Sequence, residues 1–357
     1  MQKEISLPIK LLKYYSQKYP NIWKDVEKIR RLRGKDKNHT WPSWCFCPMY
    51  NICSILNVGD RISKIVNGKI IVDEEKFQDL IFITALAPWR STKGVYKIHE
   101  EIFDSLAKTP ITGEIPIDIL YYLPEWCVYI EVPPNTVFNP KIKGFFGFLD
   151  YDTPHLCPRL HILVDFGDYF SPFELSLFKG SIRSNFEKGK EIIKGDSKLF
   201  GYLPEEEKKL MPSEYMENNV EKVLSPFISI LLYLCSEASD IKDLNGNSIQ
   251  RAKVKVAKEF TNLPLQKSKV WEVGYRVGPT LNAAKSQPTQ PIEPGNVNES
   301  DSPNNLNGVR PHVRRAHYHG YWVGSGQEKK FILKWLHPIL VGTKNPDEIV
   351  TTSREVL

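Results

Sequence analysis

The spacing of hydrophobic residues changes along the chain and separates helical segments from extended ones. Between Leu7 and Arg33 apolar residues recur every three or four positions, which predicts helix, and Pro20 with Asn21 should divide it in two. The same spacing predicts further helices at residues 75–86, 99–106, 115–122 and 220–234. Pro88 should halt the first of these, because proline lacks the amide hydrogen that an interior turn needs.

The middle of the chain is rich in residue types that favour strands. Three segments mix β-branched with aromatic residues between turn signals, and a fourth candidate strand follows: 126–132, 142–150, 160–166 and 173–178. They predict an antiparallel meander. Residues 270–277 alternate again, although Gly274 and Gly278 weaken a strand there. The whole pattern predicts an α+β fold with a mixed, mainly antiparallel sheet and flanking helices.

Two segments near the C-terminal end differ from the rest. Residues 286–308 hold four prolines and few aliphatic side chains, which predicts a disordered tether or a long loop. Beyond it, β-rich flanks surround Gly324-Ser325-Gly326 and predict a hairpin rich in His, Arg and Trp. Two strands alone are rarely stable, so this hairpin should dock on the body.

Composition and pattern together suggest a domain organisation and a compartment. The predicted parts are a basic helical region at 1–75, an α+β core at 76–285, a linker at 286–308, the docked hairpin at 309–345 and a tail at 346–357. With 41% hydrophobic and 25% charged residues, the chain has the composition of a globular protein. No apolar run approaches the ~20 residues of a membrane span, and the N-terminus lacks the layout of a secretory signal. We therefore expect a cytoplasmic protein without membrane contact.

The cysteines raise the question of a metal site. Cys45, Cys47 and Cys53, with His39 upstream, resemble a set of zinc ligands, but their spacing is not a standard one and no second pair follows. Packed thiols in a Trp- and Pro-rich loop are the simpler explanation. We predict neither a metal nor a cofactor.

The net charge of +6 is spread unevenly. Residues 1–38 hold eleven Lys and Arg against four acids, and Arg310–His337 holds six against one. The remainder of the chain is therefore acidic. Two basic regions would suit a polyanion such as RNA, although a solvated amphipathic helix would also explain the N-terminal one.

The C-terminal basic segment carries half of the chain's eight histidines. Alternation along a strand predicts Arg315, His317, His319 and Tyr321 on one face. The other face should carry Arg314, Tyr318 and Trp322. One of the two faces must be buried, and alternation alone does not decide which.

One interpretation of this hairpin is RNA handling. The candidate catalytic residues are His317, His319, Arg315 and Tyr321, because two imidazoles beside a cation are what metal-independent RNA cleavage needs. Tyr318, Trp322 and Trp335 could stack unpaired bases, and the basic side chains could follow phosphates. The candidates for nucleic-acid or partner binding are Arg310, His312, Arg314, Arg315, Tyr318, Trp322, Lys329, Lys330, Lys334 and Trp335.

Two other interpretations remain open. His317 and His319 could bind a metal with a third ligand from His312, His337 or a distant carboxylate, although Arg315 disfavours a cation. Alternatively, the aromatic and histidine side chains form a hydrogen-bonded core that holds the hairpin in place.

Islands of sequence over residues ~80 to 341 resemble the second family of type V-A anti-CRISPR proteins, which are carried by phages and plasmids. The first 75 or so residues have no recognisable counterpart. The islands are Trp89-Arg-Ser-Thr-Lys-Gly-Val-Tyr96, Glu100-Glu-Ile102, Leu123-Pro-Glu-Trp-Cys-Val-Tyr129, Ile142-Lys-Gly-Phe145, Leu231-Leu-Tyr-Leu-Cys235, Gly274-x-Arg276-x-Gly278, and Arg310-Pro-His-Val-Arg-Arg-Ala-His-Tyr-His-Gly-Tyr-Trp322 with Gly324-x-Gly326-Gln327 and Trp335.

The resemblance implies a function. Members are understood to recognise the N-terminal polypeptide segment of the type V-A CRISPR effector during translation and to promote loss of its mRNA, so mRNA or the translating ribosome becomes an expected partner. Alternatives are a metal-independent endoribonuclease and a peptide-binding adaptor without RNA contact. The resemblance supplies no catalytic residue and no oligomeric state. Trp89 and Arg90 are either a recognition pair or a structural corner.

Overall fold

The computed structural model describes most of the chain. It covers residues 6–56, 63–66, 69–136, 138–139, 141–195, 213–237, 239–249, 268–276, 278, 312–326 and 329–341. The predicted tether at 286–308 and the predicted tail at 346–357 lie outside the described residues. Among the described residues, no helix is both long and apolar enough to cross a membrane.

The N-terminal region is helical, as predicted. Helix α1 (Leu7–Lys18) and helix α2 (Ile22–Arg31) are separated at Pro20 and Asn21. A short 3-10 helix (Lys37–His39), helix α3 (Met49–Ile55) and a small antiparallel pair, β1 (Ser63–Val66) with β2 (Lys69–Val72), follow.

Helix α4 (Glu74–Thr92) runs through Pro88, so the prediction that Pro88 halts it is wrong. The extra turn carries Trp89, which is fully buried and donates from Nε1 to the carbonyl of Gly94 at 2.8 Å. Burying an indole is worth more than the one backbone hydrogen bond that proline removes. The helix ends at Lys93, which is in the left-handed conformation (φ +53°).

A seven-stranded mixed sheet forms the centre of the described fold, and its strand order is β7-β6-β5-β4-β3-β9-β8. The predicted meander is confirmed as the antiparallel strands β4 to β7. The strand bounds are β3 (Gly94–Ile98), β4 (Cys127–Glu131), β5 (Gly144–Asp152), β6 (Cys157–Asp165), β7 (Phe170–Ser176), β8 (Ile241–Asp243) and β9 (Lys269–Val273).

Strand β3 was not predicted, although it lies in the middle of the sheet. It pairs in parallel with β4 on one side and with β9 on the other. A parallel strand buried on both faces has no alternation of polar and apolar residues, and Val95, Tyr96 and Ile98 are all buried. The predicted strand at 270–277 ends early at Val273, before Gly274 with φ +74°.

The remaining helices cover the sheet. Helix α5 (Glu100–Ala107) is close to its predicted bounds, and the predicted helix at 220–234 is the C-terminal part of helix α7 (Ser213–Cys235). Helix α6 (Ile182–Gly195) packs beside α7. The helix predicted at 115–122 is a 3-10 helix, Ile117–Tyr122. Backbone hydrogen bonds join Ile117 to Gly180 and Ile115 to Ile182. Only the short segment that follows is therefore available to form a helix.

Each face of the sheet has its own hydrophobic core. In β5, Phe145 and Leu149 join a core made with α5, α7 and the C-terminal hairpin. Phe146 and Phe148 point the other way, into a core made with α1 to α4. The N-terminal helices and the hairpin therefore lie on opposite faces of the sheet.

The C-terminal hairpin consists of β11 (His317–Val323) and β12 (Lys330–Leu336), paired antiparallel with His317 opposite Leu336. A shorter pair, β10 (His312–Arg314) with β13 (Ile339–Val341), extends it. The predicted α+β fold with a mixed, mainly antiparallel sheet and a C-terminal hairpin is confirmed.

Candidate nucleic-acid interface

The inner face of the hairpin anchors it to the body. Tyr318 and Trp335 are cross-strand partners, and both are buried in the core that contains α7. The Tyr318 hydroxyl donates to the carbonyl of Ser229, and Trp335 donates from Nε1 to Thr109 Oγ1 at 3.1 Å. The ring of Tyr233 meets Trp335 edge-on, with centroids 5.5 Å apart. Each anchor thus buries a large ring while its polar atom keeps a partner.

These positions correct the prediction that Tyr318 and Trp335 stack RNA bases. Tyr318 is 7% exposed and Trp335 is 9% exposed, so neither ring offers a face to a ligand. Burial also raises the pKa of Tyr318 far above its usual value, which keeps the phenol protonated. Of the three predicted stacking residues, only Trp322 is exposed.

The outer face brings together the predicted histidine and tyrosine side chains. His319 and Tyr321 are neighbours on this face of β11, with ring centroids 5.7 Å apart. Lys334 lies opposite His319 on β12, and its amine is 5.3 Å from the Tyr321 ring centroid. The hydrogen bond with Tyr321 raises the pKa of Lys334, so this cation stays charged.

His317 is held in one orientation by its neighbours. Its Nε2 lies 3.1 Å from the Arg314 guanidinium, and its Nδ1 lies 3.2 Å from the carbonyl of Arg315. Arginine can only donate, so Nε2 accepts and Nδ1 carries the proton that reaches the carbonyl. In this arrangement Arg314 occupies the ring nitrogen that could otherwise act as a base.

The exposed charges of the described hairpin residues all have one sign. The exposed charged side chains are Arg314, Arg315, Lys329, Lys330 and Lys334. Lys330 forms an ion pair with Glu237 just after α7. Arg310 lies outside the described residues, and His312 is described only as a backbone position of β10. On the outer face, Lys330 and Lys334 therefore lie beside imidazole and aromatic groups, a combination that suits single-stranded nucleic acids.

Trp89 and Arg90 pack mainly within the protein. Trp89 is buried, and the Arg90 guanidinium lies 5.7 Å from the Trp23 ring centroid and donates to the carbonyl of Trp23 at 3.3 Å. These contacts favour the structural interpretation of the pair over the recognition site. They form the structural corner before Gly94.

Glu125 is a buried acid that sequence reasoning did not single out. It is 1% exposed, and its carboxylate accepts hydrogen bonds from Thr92 Oγ1 at 2.7 Å and Trp271 Nε1 at 3.0 Å. Burial raises its pKa to about 7. A Cβ at Gly94 would lie 2.3 Å from this carboxylate, so only glycine fits there. The proximity of Thr92, Gly94 and Glu125 explains three positions of the sequence islands by structure alone.

The cysteine loop shows no metal geometry. Cys45 and Cys47 are buried, and the Cys45 thiol lies 3.8 Å from Asp150 Oδ1. His39 instead pairs with Asp36 at 2.7 Å. Within the part of the chain that the structure describes, no group of three His, Cys, Asp or Glu side chains could hold a metal ion.

The fold and the site define a class: α+β proteins in which a cationic, aromatic hairpin is docked on one face of a mixed sheet. Residues 96–343, more than two thirds of the chain, match the model of the anti-CRISPR type V subtype A2 family, also described as AcrVA2-like. The chain belongs to this family, and the resemblance drawn from the sequence islands is confirmed.

Two individual proteins are similar to this chain. Protein FinQ of Escherichia coli is 24% identical over 283 residues, which span 73% of this chain and 76% of that protein. The crystal structure of AcrVA2 superposes with a TM-score of 0.62 at 20% identity, covering 94% of this chain and 99% of that one. The two proteins share a fold from end to end.

Proposed function

We propose that the protein is an anti-CRISPR inhibitor that lowers production of the type V-A effector nuclease. It recognises the N-terminal polypeptide segment of the effector during translation, in the cytoplasm of a bacterial host, and promotes loss of the effector mRNA. Family membership supports the target. The hairpin supports the step on RNA, because it lies within the matched residues and carries the cationic outer face.

The observation that carries the RNA contact is the grouping of His319, Tyr321 and Lys334 on the outer face, with Arg315 exposed just before β11. Exposed aromatic and imidazole rings can stack on bases, while the flanking cations neutralise phosphates. A face that served only to hold the hairpin would have its polar groups turned towards the body. Here the opposite face, with Tyr318 and Trp335, does that.

The test is made in cells that carry a type V-A effector. Effector mRNA is measured with the wild-type protein, with an Arg315→Ala/His319→Ala/Lys334→Ala variant, and with a control, Lys10→Ala/Lys13→Ala/Lys24→Ala. The control removes three exposed cations from the opposite side of the sheet. We expect wild type and control to deplete the message and the hairpin variant to lose most of that effect at equal protein abundance.

Other outcomes identify other functions. Depletion by all three proteins would show that the hairpin face is dispensable and would favour an adaptor without RNA contact. Loss with the N-terminal variant alone would assign the RNA surface to α1 and α2. If the wild type leaves the message unchanged, the type V-A effector is not its target.

Binding to labelled RNA gives an independent measure of phosphate contact. For a single strand, each neutralised phosphate contributes a slope of roughly −0.7 in log affinity against log salt. Removing Arg315 and Lys334 should therefore flatten the slope by about 1 to 1.5. An unchanged slope would show that these side chains do not contact phosphate.

A second candidate, metal-independent RNA cleavage, is favoured by the placement of His317 and His319 on one strand face. His317 could act as a base only after Arg314 leaves its Nε2. Cleavage that persists in chelator, follows a bell-shaped pH profile and is lost in His319→Ala would establish it. RNA that binds but stays intact would exclude it.

A further inference from the structure

The inner face of the hairpin becomes exposed towards its tip. At the base, Tyr318 and Trp335 are buried, and Leu333 in the middle is 1% exposed. Trp322, on the same face nearer the tip, is 59% exposed. The last turn of the hairpin therefore extends past the body, and the inner-face ring of Trp322 is not covered by it.

The indole of Trp322 packs against a second aromatic ring. Phe331 is its cross-strand partner, and the two ring centroids lie 5.2 Å apart at an interplanar angle of 68°. The Phe331 ring lies across the strand over Gly320, where a Cβ would come within 2.1 Å of it. Phe331 contacts one side of the indole, and the exposed part of Trp322 is held in place without being buried.

Cations flank the tip of the hairpin. Lys329 is exposed next to the turn that follows Trp322, and Lys330 and Lys334 lie on the opposite, outer face. Single exposed apolar side chains are common on proteins and need no explanation. An indole held on a second ring at the tip of a cationic hairpin is different, since it pairs a stacking surface with charge complementary to phosphate.

We propose that Trp322 stacks on an unpaired base, and hence that the hairpin binds single-stranded rather than duplex RNA. The inference rests on the proposed RNA contact and specifies its substrate. In a duplex both faces of each base are covered by neighbouring pairs, so an indole cannot stack on them. In a single strand the base turns onto Trp322 while a neighbouring phosphate contacts Lys329 beside the turn.

The experiment measures binding of the full chain to a fluorescent single-stranded RNA oligonucleotide and to the same oligonucleotide annealed to its complement. One stacked base is worth about 1–3 kcal/mol, or roughly fivefold to a hundredfold in affinity. Trp322→Ala should lose that factor for the single strand and leave duplex binding unchanged. Trp322→Phe should restore part of it. Leu244→Ala, which removes another exposed apolar side chain, should bind like wild type.

The outcomes separate this inference from the proposed function. If Arg315→Ala/Lys334→Ala weakens binding and Trp322→Ala does not, the hairpin binds RNA through phosphates only and the stacking proposal is wrong. If neither variant weakens binding, the RNA contact itself fails. Equal losses of single-strand and duplex binding in Trp322→Ala would also overturn the proposal, because they indicate a disturbed hairpin. Its stability is checked by urea unfolding.

Discussion

The N-terminal helices and the C-terminal hairpin are the two most basic parts of the chain, with eleven cations against four acids in residues 1–38 and six against one in Arg310–His337. In the helices several of these cations form ion pairs with carboxylates. Glu27 lies 2.6 Å from Arg30 and 3.4 Å from Arg31, and Lys18 lies 2.7 Å from both Glu75 and Asp79.

The hairpin uses its cations in another way. Between its described residues and the body, one ion pair is formed, Lys330 with Glu237. Attachment comes instead from the buried rings of Tyr318 and Trp335, which leaves the remaining cations on the outside. Charge counted along a sequence therefore does not locate a binding surface. What matters is whether the fold brings carboxylates to the cations.

The largest effect in this comparison should come from the hairpin anchor. Trp335→Ala should destabilise the protein by about 3–5 kcal/mol, as expected for a buried aromatic in a packed core. Trp322→Ala, at the exposed end of the same face, should cost under about 1 kcal/mol. Urea unfolding followed by circular dichroism measures both. Equal losses would mean that the hairpin is not held by its base.

Glu125 contacts the sheet that separates the N-terminal helices from the hairpin. Its pKa is about 7 in the fold and 4.5 in the unfolded chain, because burial penalises the charged form. The folded state thus keeps a proton that the unfolded state has lost, so stability should fall as pH rises from about 4.5 to about 7, by about 3 kcal/mol. Glu125→Gln cannot ionise and lacks this dependence.

The measurement is the free energy of unfolding of wild type and Glu125→Gln at several pH values. The advantage of the glutamine variant should grow with pH and level off above about pH 7. RNA binding should be the same for both proteins, because Glu125 lies within the core. A difference that does not change with pH would show that folding leaves the pKa of Glu125 at its unfolded value.

A smaller difference in stability should distinguish the ion-paired cations of the N-terminal helices from the cations of the hairpin. Glu27 is buried against Arg30, Arg31 and Arg90, and although burial alone would raise its pKa, hydrogen bonds from Arg30 lower it. Glu27→Ala leaves these cations without their acid and should cost about 2 kcal/mol. Arg315→Ala on the hairpin should stay within about 0.5 kcal/mol. A comparable cost for Arg315 would show that it holds structure rather than ligand.

Local patterns predicted the elements whose residue types are distinctive. The break between α1 and α2 follows from proline, the meander β4 to β7 follows from β-branched and aromatic residues between turn signals, and both are confirmed. Strand β3 and the passage of α4 through Pro88 were missed for one reason. Both depend on burial by partners distant in sequence, which no local window contains.

The sequence likewise predicted only part of the candidate site. Alternation placed His317, His319 and Tyr321 on one face, and the structure agrees. It could not decide which face is buried, since Tyr318 and Trp322 are equally aromatic and only the edge of the body separates them. Glu125 was overlooked because a lone acid carries no signal until Thr92 and Trp271 are seen to converge on it.

The central strand has a consequence for how the protein comes to be folded. Gly94 in β3 pairs with Lys269 in β9, 175 residues later. Until β9 has been synthesised, one edge of β3 has no partner, and unpaired edges promote aggregation. Such distant pairing also slows folding. We expect the protein to mature slowly after synthesis, so that under the proposed function its delay, as well as its affinity, limits how soon the effector is opposed.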